Sequence, residues 1–167
     1  SKISLVRVAI NFNNAEAMQP VIEVLKDLGY EVGLNLMQSS GKKEHEYIEL
    51  AKEITSWDLV DVLYFADSFG NMDPEEVKYI AGCIRKGWSS SLGFHSHNNK
   101  GYALINSLNA IKAGVEYCDC TVTGMGRGAG NVTTESLLME LVNERLLEID
   151  LSLIQGTVSD FSELKEK

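Results

Sequence analysis

The chain is poor in the residues that cross-link, interrupt or strongly charge a fold. Two prolines leave no room for a proline-rich linker. Three cysteines, an odd number without repeating spacing, exclude a disulfide framework; they point to reduced thiols and so to a cytoplasmic protein. No apolar run is long enough to span a bilayer, and the first residues carry no secretory-signal pattern. Lysine and arginine are scarce, 15 against 24 acidic residues, so the net charge is −9. That balance argues against nucleic acid or an anionic membrane as the partner. Histidine occurs three times, and two of the three fall in LGFHSHNNKG, residues 92–101.

What is present is a repeating α/β pattern. Short β-branched runs stand at LVRVAI (5–10), EVGLNLM (31–37), DLVDVLYFA (58–66), SLGFH (91–95) and VEYCDCTV (115–122). Helical periodicity fills the gaps, in AEAMQPVIEVLKDLG, KEHEYIELAKEITSW, PEEVKYIAGCIRKG and YALINSLNAIKAG, and continues in TTESLLMELVNERLLE. Asp73-Pro74-Glu75-Glu76 reads as a helix start, with a capping side chain, proline in the first turn and acids at the positive dipole end. Gly29, Gly87 and Gly114 stand where helices should stop. Pro20 either kinks the first helix or starts it late. The tail from Asp150 predicts one more helix. Alternating strands and helices imply a parallel sheet covered by helices. Two closures satisfy this: an open doubly wound sheet, or part of a (β/α)8 barrel, whose complete form needs about 250 residues.

Polar residues collect where each strand ends. The exits read Asn11-Phe12-Asn13, Gln38-Ser39-Ser40, Asp67-Ser68, His95-Ser96-His97-Asn98-Asn99 and Thr121-Val122-Thr123. In both α/β closures that rim is where ligands bind. Period two puts His95 and His97 on one strand face, a ready chelate for a divalent metal. The same alternation groups Arg7, Ala9 and Asn11; Gly33, Asn35, Met37 and Ser39; and Asp119, Thr121 and Thr123. Cys118 and Cys120 share the opposite face of the last strand with no further ligand nearby, and read as packing residues. After that strand comes TGMGRGAGN, residues 123–131. Gly124, Gly126 and Ala129 match the spacing of a dinucleotide loop, but such a loop follows a first strand, and this one follows the last. An anion-binding backbone nest stays open, as does a role for Arg127 toward a carboxylate or phosphate.

Taken together, ADSFGNMDPEEV and the long stretch GFHSHNNKGYALINSLNAIKAGVEYCDCTVTGMGRGAGNVTTE resemble the HMG-CoA lyase-like metallo-aldolases. That superfamily includes HMG-CoA lyase, 2-isopropylmalate synthase and 4-hydroxy-2-oxovalerate aldolase. The likeness extends furthest toward the last branch, through VRVAI, VGLNLMQSS, FADSFG and GMGRGAGN. It implies a (β/α)8 barrel, with this chain supplying strands 4 to 8 and their helices. Residues 1–149 are then the C-terminal part of the catalytic barrel, and 150–167 a truncated helical extension. His95 and His97 become metal ligands, with Asn131 a further one. Asp67 becomes a catalytic, water-orienting group facing the same cavity. Ser39 takes both a catalytic place and that of a serine binding the pyruvoyl carboxylate. Arg127 joins the catalytic set, and Asn11, Gly124 and Gly126 the substrate-binding one.

The resemblance also has gaps. The family's first-strand L-R-D or D-R-E motif, source of the third metal ligand and a catalytic arginine, is absent. Asn11 replaces a histidine, and Asn99 an aspartate found in other branches. The chain opens SKISLVRV without methionine and ends ELKEK, as a fragment would. The expected full-length activity is aldol cleavage of a 4-hydroxy-2-oxo acid to pyruvate, or a related 2-oxo acid, and an aldehyde. It would depend on Mn²⁺ or Mg²⁺, with Zn²⁺ or Co²⁺ as alternatives. Rival readings are a Claisen-type condensation with an acyl-CoA and a non-catalytic member. The expected partners are the 2-oxo acid and a missing N-terminal barrel segment that brings the third ligand. The piece alone, with two open sheet edges, is expected to be inactive and to pair; a homo-oligomer is one way to cover the edges.

Overall fold

The computed structural model describes residues 3–165; residues 1, 2, 166 and 167 of the two expected segments lie outside it. Five strands, β1 (Leu5–Asn11), β2 (Glu31–Met37), β3 (Val62–Asp67), β4 (Ser91–Ser96) and β5 (Tyr117–Cys118), form one sheet. They alternate with α1 (Gln19–Asp27), α2 (Glu44–Trp57), α3 (Pro74–Arg85) and α4 (Ala103–Lys112). Helices α5 (Thr134–Asn143) and α6 (Ser152–Lys165) follow β5. All four strand pairs are parallel, and the spatial order is the sequence order, β1-β2-β3-β4-β5.

That order decides between the two closures. Parallel strands are joined by right-handed crossovers, so when each strand lies beside its predecessor every connecting helix falls on the same face. A doubly wound sheet reverses its order at a switch point and is covered on both faces. Here the reversal is missing. Leu34, Leu36, Leu63, Phe65, Leu92 and Phe94 point to one side and bury themselves against Ile22, Ile54, Ile80 and Ile84 of the helices. The Phe65 and Phe94 rings stack with centroids 4.8 Å apart. Burying such a side chain contributes roughly 1.5–3 kcal/mol, so this face holds the fold together.

Among the described residues no helix packs on the other face. Register aligns Ala9, Asn35, Tyr64, Gly93 and Tyr117 across it. Gly93 is needed there, because a Cβ would lie 2.2 Å from the Tyr64 ring. The Arg7 guanidinium lies over that ring, 4.7 Å from its centroid, and ion-pairs with Asp119 just beyond β5 at 2.5 Å. A contact between the first and last strands across the bare face shows that the sheet is strongly curled. The arc has the α/β-barrel architecture, with the bare face as the lumen.

Most local expectations hold. Asp73 caps α3, its carboxylate accepting from Glu76 N–H at 2.8 Å with Pro74 in the first turn. Pro20 starts its helix late: a 3-10 segment runs over Phe12–Met18, and α1 opens at Gln19 with the proline in its first turn, where no N–H is needed. β3 begins later than expected, because Asp58 takes a left-handed turn that closes α2. The fifth strand, expected over 115–122, is cut to two residues. Asp119 N–H still pairs with Phe94 of β4, but beyond it Thr121 bridges to Thr133, and Thr123 turns at φ 56°. The predicted tail helix is present as α6.

Candidate active site

The lumen opens at the C-terminal ends of the strands into a cavity of about 330 Å³. Its walls are Asn11, Asn35, Met37, Gln38, Ala66, Ser68, Phe69, His95, His97 and Arg127. A second space of about 340 Å³ lies against it, lined by Arg7, His95, Cys118, Asp119, Cys120, Thr121 and Asn131. His95 is the partition between them. A slightly larger cavity, about 380 Å³, sits between α5 and α6, with none of the histidines in its lining.

His95 is the penultimate residue of β4, and His97 follows it by two, so both rings enter the lumen. Their Nε2 atoms converge to 3.4 Å. Two nitrogens each about 2.0–2.1 Å from one tetrahedral ion stand about 3.3–3.4 Å apart, so the pair suits a shared cation. Burial first, then the neighbouring His95 and Arg127, hold His97 below the usual imidazole value, which keeps its lone pair free. Asn131 supplies the next fitting atom. It forms an isolated bridge with His97, its amide nitrogen donates to the Met125 carbonyl at 3.0 Å, and its Oδ1 is buried without a partner among the described residues. An orphaned carbonyl oxygen on a residue that bridges His97 and shares a cavity wall with His95 fits a divalent ion. Among the described residues no group of three or more His, Cys, Asp or Glu side chains forms a complete site.

Behind His95 stands Asp119. Its Oδ2 receives His95 Nδ1 at 2.8 Å and Arg7 Nη1 at 2.5 Å. Burial alone would raise this carboxyl, but the hydrogen bonds from His95 and Arg7 outweigh it and hold it below the usual carboxylate range.

The facing wall is built of amides. Asn11, the last residue of β1, donates to Gln38 Oε1, and its own Oδ1 accepts from Asn13 N–H at 3.1 Å. Gln38 takes a left-handed conformation, φ 56°, and its N–H donates to Ser68 Oγ at 2.8 Å. Asn35, 7% exposed, has its Oδ1 unpartnered among the described residues. Arg127 closes the rim, donating to the Ser68 carbonyl at 3.3 Å.

The structure thus gathers Asn11, His95, His97, Arg127 and, beside them, Asn131. It places the other expected residues differently. Ser39 does not reach the cavity: the left-handed turn at Gln38 breaks the strand alternation. The Ser39 hydroxyl turns back to the Leu36 carbonyl at 2.6 Å, fully buried, and Gln38 takes the lumen position. Asp67 shares its strand face with Leu63 and Phe65, which is the helix-facing side. Its carboxylate receives Asn71 and Met72 N–H at 3.0 and 3.1 Å and ties down the loop into α3. Gly124 and Gly126 line neither strand-end space. A Cβ on Gly126 would meet the Asn131 amide at 2.6 Å, and one on Gly130 the Gly124 carbonyl at 2.0 Å. The close approach that the glycines allow is to Asn131 and to the loop itself, so they shape the asparagine's seat. Asn98 turns to the start of α4, where its side chain accepts Ala103 N–H at 3.1 Å. Asn35, Gln38 and Ser68 were not expected in the site. Strand alternation could have found Asn35, and nothing local could have found Gln38.

A singly wound α/β-barrel arc with convergent imidazoles at its strand ends defines the class. The chain belongs to the HMGL-like family, whose model matches residues 6–164. Among curated relatives it is 39% identical over 137 residues to a 4-hydroxy-2-oxovalerate aldolase of Carboxydothermus hydrogenoformans, covering 82% of this chain and 40% of that protein. With the enzyme of the same name from Geobacillus genomosp. 3 the identity is 33%, covering 92% and 45%. The chain therefore spans less than half the length of these relatives. Among solved structures it superposes on the N-terminal domain of a Bacteroides vulgatus protein assigned as an aldolase. The TM-score is 0.89 at 35% identity, covering 98% of this chain and 54% of that one. It also superposes on Bacillus subtilis HMG-CoA lyase, with TM-score 0.86 at 16% identity, covering 99% and 65%. The last likeness is one of fold.

No described helix is long and apolar enough to cross a membrane. Cys83, Cys118 and Cys120 are free thiols.

Proposed function

We propose that this chain is the C-terminal five-unit arc, strands 4 to 8 with their helices, of a (β/α)8 barrel in a divalent-metal-dependent aldolase. Residues 150–167 extend that barrel. The full-length enzyme cleaves a 4-hydroxy-2-oxo acid to pyruvate, or a related 2-oxo acid, and an aldehyde. The observation that carries this reading is the approach of His95 Nε2 and His97 Nε2 to 3.4 Å in the mouth of the lumen. The names of the relatives support the choice of substrate class.

His95, His97 and the Asn131 carbonyl oxygen hold the cation, Mn²⁺ or Mg²⁺, with Zn²⁺ or Co²⁺ as alternatives that imidazole nitrogens suit as well. When bound, it supplies Lewis-acid stabilisation of the negative charge left on the 2-oxo acid as the carbon–carbon bond opens. Arg127, over the rim of the cavity, binds the substrate carboxylate, and Asn11 and Gln38 offer it hydrogen bonds. Asn35 Oδ1 needs a donor, and a substrate hydroxyl is one. Phe69 and Met37 screen the cavity from water.

The carboxylate ligand comes from the N-terminal segment of the barrel, which also pairs with the open edges of β1 and β5. The chain by itself is inactive and associates through those edges, with another segment or another copy. The working compartment is the cytoplasm. The test is metal content and pyruvate release, measured with a 4-hydroxy-2-oxo acid on the complete polypeptide. His95→Ala and His97→Ala should each remove both. Stoichiometric Mn²⁺ retained by either variant ends the reading.

A further inference from the structure

We propose that Asp119 is a positioning residue for the cation: it fixes the His95 ring and tautomer so that Nε2 is the free ligand, and Arg7 holds Asp119 for that task. This rests on the metal reading above. Asp119 follows β5 directly, and its N–H donates to the Phe94 carbonyl at 3.0 Å, so its backbone is locked to the strand that carries His95. A ring nitrogen 2.8 Å from a carboxylate oxygen carries the proton. Nδ1 is therefore N–H, and the lone pair of the neutral ring is left on Nε2, facing His97 Nε2 at 3.4 Å. The opposite tautomer would set an N–H of His95 against the place where a cation is held.

Arg7 completes the arrangement from the far edge of the sheet. Its Nη1 donates to the same Oδ2 at 2.5 Å. Its guanidinium lies over the Tyr64 ring, and Gly33 leaves room for its stem, since a Cβ there would be 3.3 Å from Arg7 Cγ. A carboxylate on a half-buried wall without such a partner would be costly. The ion pair also joins β1 to β5, so a purely structural role is the alternative the test has to separate.

The tautomer is read first, by ¹⁵N NMR of the metal-free intact polypeptide with labelled histidine. His95 is expected as the Nδ1–H form, and an Nε2–H signal for His95 overturns the proposal without any variant. Mn²⁺ titration of the same protein is the second arm. Asp119→Ala is expected to weaken Mn²⁺ by about 10- to 100-fold, the usual effect of losing such a partner. Asp119→Asn keeps an acceptor oxygen and is expected to recover part of that loss, and Arg7→Met to show a smaller loss than Asp119→Ala. Folded Asp119→Ala protein with unchanged Mn²⁺ affinity, or Asp119→Asn no better than Asp119→Ala, overturns the proposal. Wild-type protein that takes up no Mn²⁺ refutes the metal reading itself, while the tautomer still judges the hold of Asp119 on His95.

Discussion

The two faces of this sheet are made by the same residues taken alternately, yet they do different work. On the helix side Leu34, Leu36, Leu63, Phe65, Leu92 and Phe94 are at most 1% exposed and have helices against them. On the lumen side β1 to β4 present Arg7, Asn35, Tyr64, Gly93 and His95, of which Arg7, Tyr64 and His95 engage in ion pairs, ring contacts and hydrogen bonds. The first face can be made from almost any apolar set of the right volume. The second tolerates little change of residue type at Arg7, Tyr64, Gly93 and His95, because each of these is matched to a neighbour in charge, donor sense or shape. Apolar burial is concentrated on one face and polar, titratable side chains on the other.

That contrast can be broken by substitution. Phe65→Ala, on the helix side, should have the largest effect, about 3–5 kcal/mol lost from unfolding stability, read from the denaturant midpoint. Gly93→Ala on the lumen side should cost less, about 1–3 kcal/mol, through overlap with the Tyr64 ring. Measured in a Tyr64→Ala background, Gly93→Ala should cost clearly less than in the wild type; an undiminished cost would mean the lumen packing is misassigned. His97→Ala should change stability by less than about 1 kcal/mol while abolishing Mn²⁺ uptake. A loss as large as that of Phe65→Ala would erase the division between the faces. The smallest effect concerns the helix-side thiol of Cys118, whose pKa burial pushes up to about 12. Near neutral pH it should hold about three to four orders of magnitude less thiolate than an ordinary cysteine at ~8.5. Native protein should therefore be alkylated there only slowly, and denatured protein at the normal rate.

How far the sequence reached can be judged from particular residues. His95 and His97 were legible because strand period two needs only local backbone regularity. Asp73 and Pro74 were legible because a helix start satisfies its own donors within one turn. Ser39 was misplaced because one left-handed residue, Gln38, reverses every side chain after it, and nothing in MQSS announces that turn. Asp67 was misplaced for a related reason. Its continuity with Leu63 and Phe65 was visible, but which face of that strand looks into the lumen is a property of the sheet. The glycine loop showed that something passes close to the backbone, not that it is the Asn131 side chain.

By itself the sequence determined the alternation of strands and helices, the apolar and polar face of each strand, and the pairing of two imidazoles on one of them, since all of these depend on neighbours a few residues apart. Only the tertiary structure decided that the strands lie in sequence order, that the sheet curls until Arg7 reaches Asp119, and that Gln38 rather than Ser39 enters the cavity. Those outcomes depend on crossover handedness, sheet twist and contacts between residues as much as 112 positions apart, which no local pattern encodes.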